Sequence, residues 1–282
     1  MTEAATDATG ARLAIGIDVG GSGIKAAVVD IDAGKFASER LRVATPSPAT
    51  PEAVIASIGR IVRRLAKANA LGSVTPVGVG LPGVAMGNTL MTAANIDPGW
   101  IGFPVVERLR KATGRPVRIV NDADAAGIAE MRFGVGRDSA GVVIFLTLGT
   151  GVGSGVFVDG ILVPNTEFGQ MEIRGRPAER RSAAAARIRR GLSWKAWAQD
   201  LDEHLHRIDE LIWPNLMILG GGVSKQGDKY IPRLTVRCPV VAAQLRNDAG
   251  IVGAAIVAIE GIGRPGMAEA PPVASLPARA DP

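Results

Sequence analysis

Cysteine is nearly absent: Cys238 is the one thiol in 282 residues. That excludes an internal disulfide framework and any zinc site needing several cysteines. Aromatic residues make up only 4% of the chain. No apolar run approaches the roughly 20 residues that a bilayer crossing requires. The N-terminus carries Glu3 and Asp7, lacks a basic segment and has no apolar stretch before Leu13. It does not read as a signal peptide, and a cytoplasmic protein is expected.

Glycine and apolar residues are plentiful, with 36 glycines and 47% hydrophobic composition. That is enough for one large domain or two lobes. The net charge of +5 favours acidic partners without naming one. The glycines concentrate in two loops, Asp18-Val19-Gly20-Gly21-Ser22-Gly23-Ile24-Lys25 and Thr147-Leu148-Gly149-Thr150-Gly151-Val152-Gly153-Ser154-Gly155. Apolar runs lead into both, and strand patterns leave both. Asp159-Gly160, between two short apolar runs, is a hairpin signal. A dinucleotide loop would run from strand to helix, and a P-loop would carry Gly-x-x-x-x-Gly-Lys-Ser/Thr. Neither fits, so the pair reads as two phosphate-gripping hairpins on two similar lobes.

Between a small, polar segment at 1–11, expected to be disordered, and a Pro- and Ala-rich tail at 264–282, strand and helix patterns alternate. Helices are predicted at 51–70, 105–113, 124–133, 194–213 and 249–262. Strands are predicted at 77–81, 117–120 and 216–219. This is an α/β pattern. The repeated hairpins suggest an internal duplication, with an N-terminal lobe at 12–124 and a C-terminal lobe at 125–247. The last helix, within 248–263, would pack back on the first lobe.

Asp18 ends a strand just before a glycine loop, where a phosphate-bound Mg²⁺ needs an oxygen ligand, often through water. The loop amides offer anion contacts, and Lys25 adds positive charge. A tight turn with a capping Asp is the plainer alternative. In Asn121-Asp122-Ala123-Asp124, at a strand end, Asp122 is the candidate proton acceptor and Asp124 the helix N-cap. Glu167, Gln170 and Glu179 suit sugar hydroxyls, although a solvated acidic loop has the same spacing. Gly220, Gly221 and Gly222 follow a strand and suit the edge of a nucleotide. Arg174, Arg176, Arg180, Arg181, Arg187, Arg189 and Arg190 form either a polyanion grip or a solvated face.

Together these motifs, with Thr92-Ala93-Ala94-Asn95-Ile96-Asp97, Pro164-Asn165-Thr166-Glu167-Phe168-Gly169 and Leu219-Gly220-Gly221-Gly222-Val223-Ser224-Lys225, resemble the ROK family of sugar kinases. The resemblance runs from about Leu13 to about Gly261 and implies two RNase H-like lobes of the actin–hexokinase type closing over glucose. It implies that Asp122 is the base on the 6-hydroxyl and that Asn121, Glu167, Gln170 and Glu179 hold the sugar. It assigns the donor phosphates to Asp18, Gly20, Gly21, Ser22, Gly23, Lys25, Thr147, Gly149, Thr150 and Gly151. Gly220 to Gly222 would lie near a nucleotide, and Mg²⁺ would sit by Asp18 through water.

The segment after the sugar loop is Arg-rich and cysteine-free where many members carry a structural zinc. No zinc is therefore expected, and the polyphosphate-using branch is favoured, with Arg174, Arg176 and Arg187 gripping the donor. Gln170 stands where the family has a sugar-contacting His. A homodimer is expected, with no nucleic-acid or membrane partner. Sugar-responsive repressors of the family carry an added DNA-binding domain, and only about a dozen residues precede the first strand here. A plain ATP-dependent kinase for glucose, mannose or another cyclic polyol is the alternative enzyme.

Overall fold

The structure, a computed structural model, describes residues 10–93 and 96–262. The expectations for the N-terminus at 1–9, for the tail at 264–282 and for Asn95 lie outside the described residues. Two sheets repeat one strand order. In the first, β1 (Leu13–Gly20) and β2 (Gly23–Asp30) form the first glycine hairpin. The short strands β3 (Lys35–Phe36) and β4 (Leu41–Val43) both pair with β2. Helix α1 (Pro51–Ala68) crosses over to β5 (Val77–Leu81), parallel to β1. A small hairpin, β6 (Ala85–Met86) and β7 (Thr89–Leu90), follows. Helix α2 (Val105–Thr113) then returns the chain to β8 (Val117–Asn121), parallel to β5.

Helix α3 (Asp122–Phe133) leads to the second sheet. There β9 (Val142–Leu148) and β10 (Val152–Val158) form the second glycine hairpin, and β11 (Ile161–Val163) pairs beyond β10. A two-stranded ribbon follows, β12 (Glu172–Ile173) with β13 (Arg176–Pro177). Three helices come next: α4 (Glu179–Ser182), α5 (Ala184–Arg189) and α6 (Trp194–Ile212). Strand β14 (Leu216–Gly220) pairs parallel with β9, and β15 (Val240–Ala242) with β14. The chain ends its described part in α7 (Ala249–Glu260). Each sheet is thus an antiparallel hairpin continued by two parallel crossover strands, the two-lobe fold that the resemblance implies.

Local chemistry accounts for these elements. In α1 the Thr50 side chain caps the helix on Ala53 N–H, and Pro51 sits at the first turn, where its missing N–H costs nothing. Val54, Ile55, Ile58, Ile61, Val62 and Leu65 recur at helical spacing and are buried. Each fully buried side chain of this size contributes roughly 1.5–3 kcal/mol. The predicted helix at 194–213 stops at Ile212, because Trp213 turns left-handed at φ 53° ahead of Pro214. Asp159 and Gly160 take φ values of 48° and 77°, the double left-handed turn expected of Asp-Gly.

Between the sheets lie α3 and α7. Their apolar residues join Ala14, Ala27 and Val29 of the first sheet to Val143, Phe145 and Phe157 of the second in one core. Gly16 of β1 and Gly78 of β5 face the backbone carbonyls of Ile251 and Ala254 so closely that no Cβ would fit. Gly253 of α7 meets the Ala125 carbonyl of α3 in the same way. Helix α7 therefore lies directly on the backbone of the first sheet.

Gly78→Ala should lower stability by about 1–3 kcal/mol or more, because α7 must lift off β5. Gly72→Ala is the control, since a Cβ there meets only Val74 at 3.9 Å. Denaturant midpoints of the two variants measure the difference.

Candidate active site

The parallel strands β1, β5 and β8 end side by side, with Asp18 opposite Gly80 and Leu81 opposite Asn121. Ligands of open α/β sheets bind at such carboxyl ends. Strand β8 passes into α3 without a loop. Asn121 takes extended angles and its side-chain oxygen accepts from Ala123 N–H at 2.8 Å and Asp124 N–H at 3.0 Å. The N-cap is therefore Asn121, not Asp124 as the sequence suggested, and the helix begins at Asp122. Asn121 Nδ2 also donates to the Gly83 carbonyl at 3.1 Å.

Asp122 occupies the first helical position and accepts from Ala123 N–H at 2.9 Å through Oδ1. Its Oδ2 accepts from no described residue. The helix N-terminus favours the anion. Burial opposes it most, followed by the charges of Asp18, Glu167 and Asp124, and the carboxyl is pushed up to about 7. Asp124 lies one turn in and is buried, which likewise pushes it up to about 7. Its Oδ2 accepts from Asn165 N–H at 2.9 Å.

The loop after β11 carries Glu167, whose acidity is weakened by burial and by Glu179. Ser154 of β10 fixes this loop on both sides of Glu167. Its hydroxyl donates to Thr166 O at 2.6 Å and accepts from Phe168 N–H at 3.0 Å. His204 of α6 donates to Phe168 O at 3.0 Å through Nε2. Burial lowers its basicity, and the bond to Phe168 O works against that. Gln170 donates to Glu179 Oε1 at 3.1 Å, and Glu179 Oε2 accepts from Val152 N–H at 3.0 Å. One carboxylate thus ties the second glycine loop to the Gln170 amide.

Both loops open on one cleft of about 510 Å³. Gly20, Gly21 and Ser22 line one wall, Thr147 and Gly149 to Gly153 the other, with Asp122, Glu167, Gln170 and Glu179 between them. The amides of Gly21, Ser22, Thr150 and Gly151 have no acceptor among the described residues. Unpaired amides clustered in a turn form an anion-binding concavity.

Other predicted residues stand outside this cleft. Lys25 faces Asp18 across the first hairpin and binds it at 2.7 Å, so its charge is already partnered. Gly23 closes that hairpin against Gly20. Gly221, at φ 82°, presses against the Leu148 carbonyl where a side chain would not fit. Gly222 lines an adjoining pocket of about 380 Å³ with Gly149, Thr150, Arg187 and Trp194. The segment after Gly222 is a 3₁₀ stretch rather than an α-helix.

The arginines divide. Arg174 binds Glu203 at 2.7 Å, Arg181 binds Glu203 and Asp200, and Arg190 binds Asp200 at 2.6 Å. Arg176 lies exposed on β13 and is not among the residues lining the cleft. Of the predicted donor grip, Arg187 lines this adjoining pocket beside the second glycine loop, its guanidinium 3.9 Å from the centre of the Trp194 ring.

Sequence reading missed Ser154 and His204, whose partners lie 14 and 36 residues away. Only the embedding of Ser154 in an apolar strand hinted at a special role. Among the described residues no group of three or more His, Cys, Asp or Glu is arranged to hold a metal ion. No helix there is long and apolar enough to cross a membrane.

Comparison with known proteins bears on the family and the fold. The chain is 46% identical over 253 residues to a polyphosphate glucokinase of Mycobacterium tuberculosis, covering 89% of this chain and 93% of that protein. The inorganic polyphosphate/ATP-glucomannokinase of Arthrobacter sp. strain KM superposes with a TM-score of 0.84 at 47% identity, covering 86% of this chain and 97% of that one. A ROK family glucokinase from Streptomyces griseus, solved with glucose and AMPPNP, superposes with a TM-score of 0.75 at 27% identity, over 87% and 99%. The ROK family pattern matches residues 14–172, a span that holds both glycine loops, Asp122 and Glu167, and the chain belongs to the ROK family.

Proposed function

We propose that this protein transfers a phosphoryl group from inorganic polyphosphate, or from ATP, to the 6-hydroxyl of D-glucose. The observation that carries this reading is one cleft lined by Asp122 and by two glycine loops whose amides are unpaired among the described residues. The names of its relatives support both the acceptor and the donors. In phosphoryl transfer the protein supplies positioning and charge stabilisation, and a base takes the hydroxyl proton. A base with a pKa near 7 is half in its carboxylate form at neutral pH and is well matched to the task. Glu167, Gln170 and Glu179 offer carboxylate and amide groups to the remaining hydroxyls. A site of this kind discriminates strongly against analogues lacking those hydroxyls.

The donor set fits an ion carried by the phosphates rather than one caged by protein. Asp18 Oδ2 is held by Lys25, and Oδ1 has no hydrogen bond from a described residue. It would hold Mg²⁺ through water. Bound to the donor, that ion would neutralise charge on the transferring group.

Asp122→Asn should lower kcat by about 10²–10⁴-fold while leaving glucose binding nearly intact. Burial raises the folded-state pKa, so ionised Asp122 costs stability above its unfolded value. The amide removes that cost, and the variant should melt no lower than wild type at pH 8. In the wild type, kcat/KM should fall with an apparent pKa near 7 as pH drops and Asp122 takes a proton. A flat profile down to pH 5 would remove Asp122 from the base role.

Gln170→His should tighten glucose binding; an unchanged or weaker Kd would mean that Gln170 suits the true acceptor. Arg187→Ala should weaken polyphosphate use more than ATP use, and Arg174→Ala, whose partner is Glu203, should weaken both little. Initial rates with each donor measure this.

A further inference from the structure

Asn165 lies two residues before Glu167 and is the residue through which this loop reaches the first lobe. Its backbone sits at φ 62°, a left-handed conformation that Asn and Gly tolerate. Its backbone N–H is held by Asp124 at 2.9 Å. The side chain points away from these anchors to the β6–β7 hairpin. There Oδ1 accepts from Ala85 N–H at 2.9 Å, and Nδ2 donates to Ala85 O at 3.0 Å. The carboxamide thus pairs with both backbone groups of one residue, as a neighbouring strand would.

Ala85 lies two residues after Gly83, which lines the cleft and accepts from Asn121. The other anchors of the loop, Ser154, His204 and Asp124, come from the second sheet and the helices α6 and α3. Among the described residues, the Asn165 side chain makes the only hydrogen bonds from residues 164–170 to the first sheet or its hairpins.

We propose that Asn165 is a positioning residue for the acceptor: its clasp on Ala85 fixes the Glu167 loop against the Gly83 side of the cleft. The proposal rests on the reading that residues 164–170 hold the sugar. The side chain's own bonds reach Ala85 and neither donor loop, and the ties of residues 166–170 to β10 and Glu179 stay in place without them, so the clasp bears on the acceptor side. Its loss therefore acts on sugar KM and leaves donor KM in place. A role in general stability would move both.

Asn165→Gly is the discriminating variant. Glycine keeps the left-handed backbone and the N–H that Asp124 holds, and removes only the carboxamide. Sugar KM should rise by about five- to thirtyfold, the worth of two neutral hydrogen bonds, with donor KM changed less than about twofold. Hydrogen exchange at the Ala85 amide, which needs no turnover, should accelerate in the variant. Unchanged exchange would show that the clasp does not form and would overturn the proposal. Faster exchange with unchanged sugar KM, or with both KM values rising together, would equally overturn it. Faster exchange in the variant, beside a wild type that phosphorylates no sugar, would instead overturn the acceptor reading beneath it. Asn165→Asp keeps the acceptor but sets a carboxylate oxygen against the Ala85 carbonyl in place of the donor, and that repulsion should raise sugar KM at least as far.

Discussion

The contact of helix backbone on helix backbone at Gly253 and the Ala125 carbonyl governs the geometry of the cleft. It sets α3 against α7 with no side chain between them, while Gly16 and Gly78 let α7 lie equally close on β1 and β5. On its opposite side α3 meets the second sheet, where Phe157 packs against Gly127 so tightly that a Cβ would come within 2.7 Å of its ring. Helix α3 is thus wedged between the two sheets, and its first residue is Asp122. Since Asn121 passes from β8 into the helix with no intervening loop, Asp122 has little freedom to move. Packing density in the core becomes placement at the cleft.

Electrostatics then divides the carboxylates around the cleft by how far each is compensated. Asp18 has Lys25, Glu179 has the Val152 amide and Gln170, and Asp124 has the Asn165 amide. Asp122 has only the amide of the next residue and the helix N-terminus. Burial and three acidic neighbours work against both. The fold leaves two under-compensated acids, Asp122 and Glu167, lining the cleft, and Asp122 is the one at a helix N-terminus. That arrangement costs stability, and the dense α3–α7 packing offsets it.

Much of this fold was legible in the chain. Two glycine segments flanked by apolar runs on both sides predict hairpins, because a helix would need a 3.6-residue stripe that 24–31 lacks. The alternation of helix and strand segments predicts the α/β layers, and the combined motifs predict the family. The errors were local or long-range. Asn121, Asp122 and Asp124 are all capping residue types, and the sequence reading took Asp124, expecting a short loop after β8 that does not exist. The anchors of the acceptor loop were invisible because serine, histidine and asparagine acquire those roles only from partners brought by folding. The arginine run read as either a polyanion grip or a solvated face, undecided because Glu203 and Asp200, which neutralise part of it, lie on α6 beyond the run.

The charge left over after that neutralisation bears on how a donor would approach. Asp122, Glu167 and Glu179 line one part of the cleft, and this acidic part repels a chain of phosphates. Gly149 and Thr150 are shared with the adjoining pocket, where Arg187 lies over Trp194 and Lys229 stands 5.7 Å from the same ring. On the proposed reaction, a polyanion would enter from that cationic side and present only its terminal phosphate to the amides of the two loops. The same pocket is lined by Leu148, Ala184, Ala185, Ile188 and Val223, apolar enough to take the flat face of a nucleoside. A stacked guanidinium and an apolar wall in one pocket is the arrangement expected where two unlike donors share one phosphate grip.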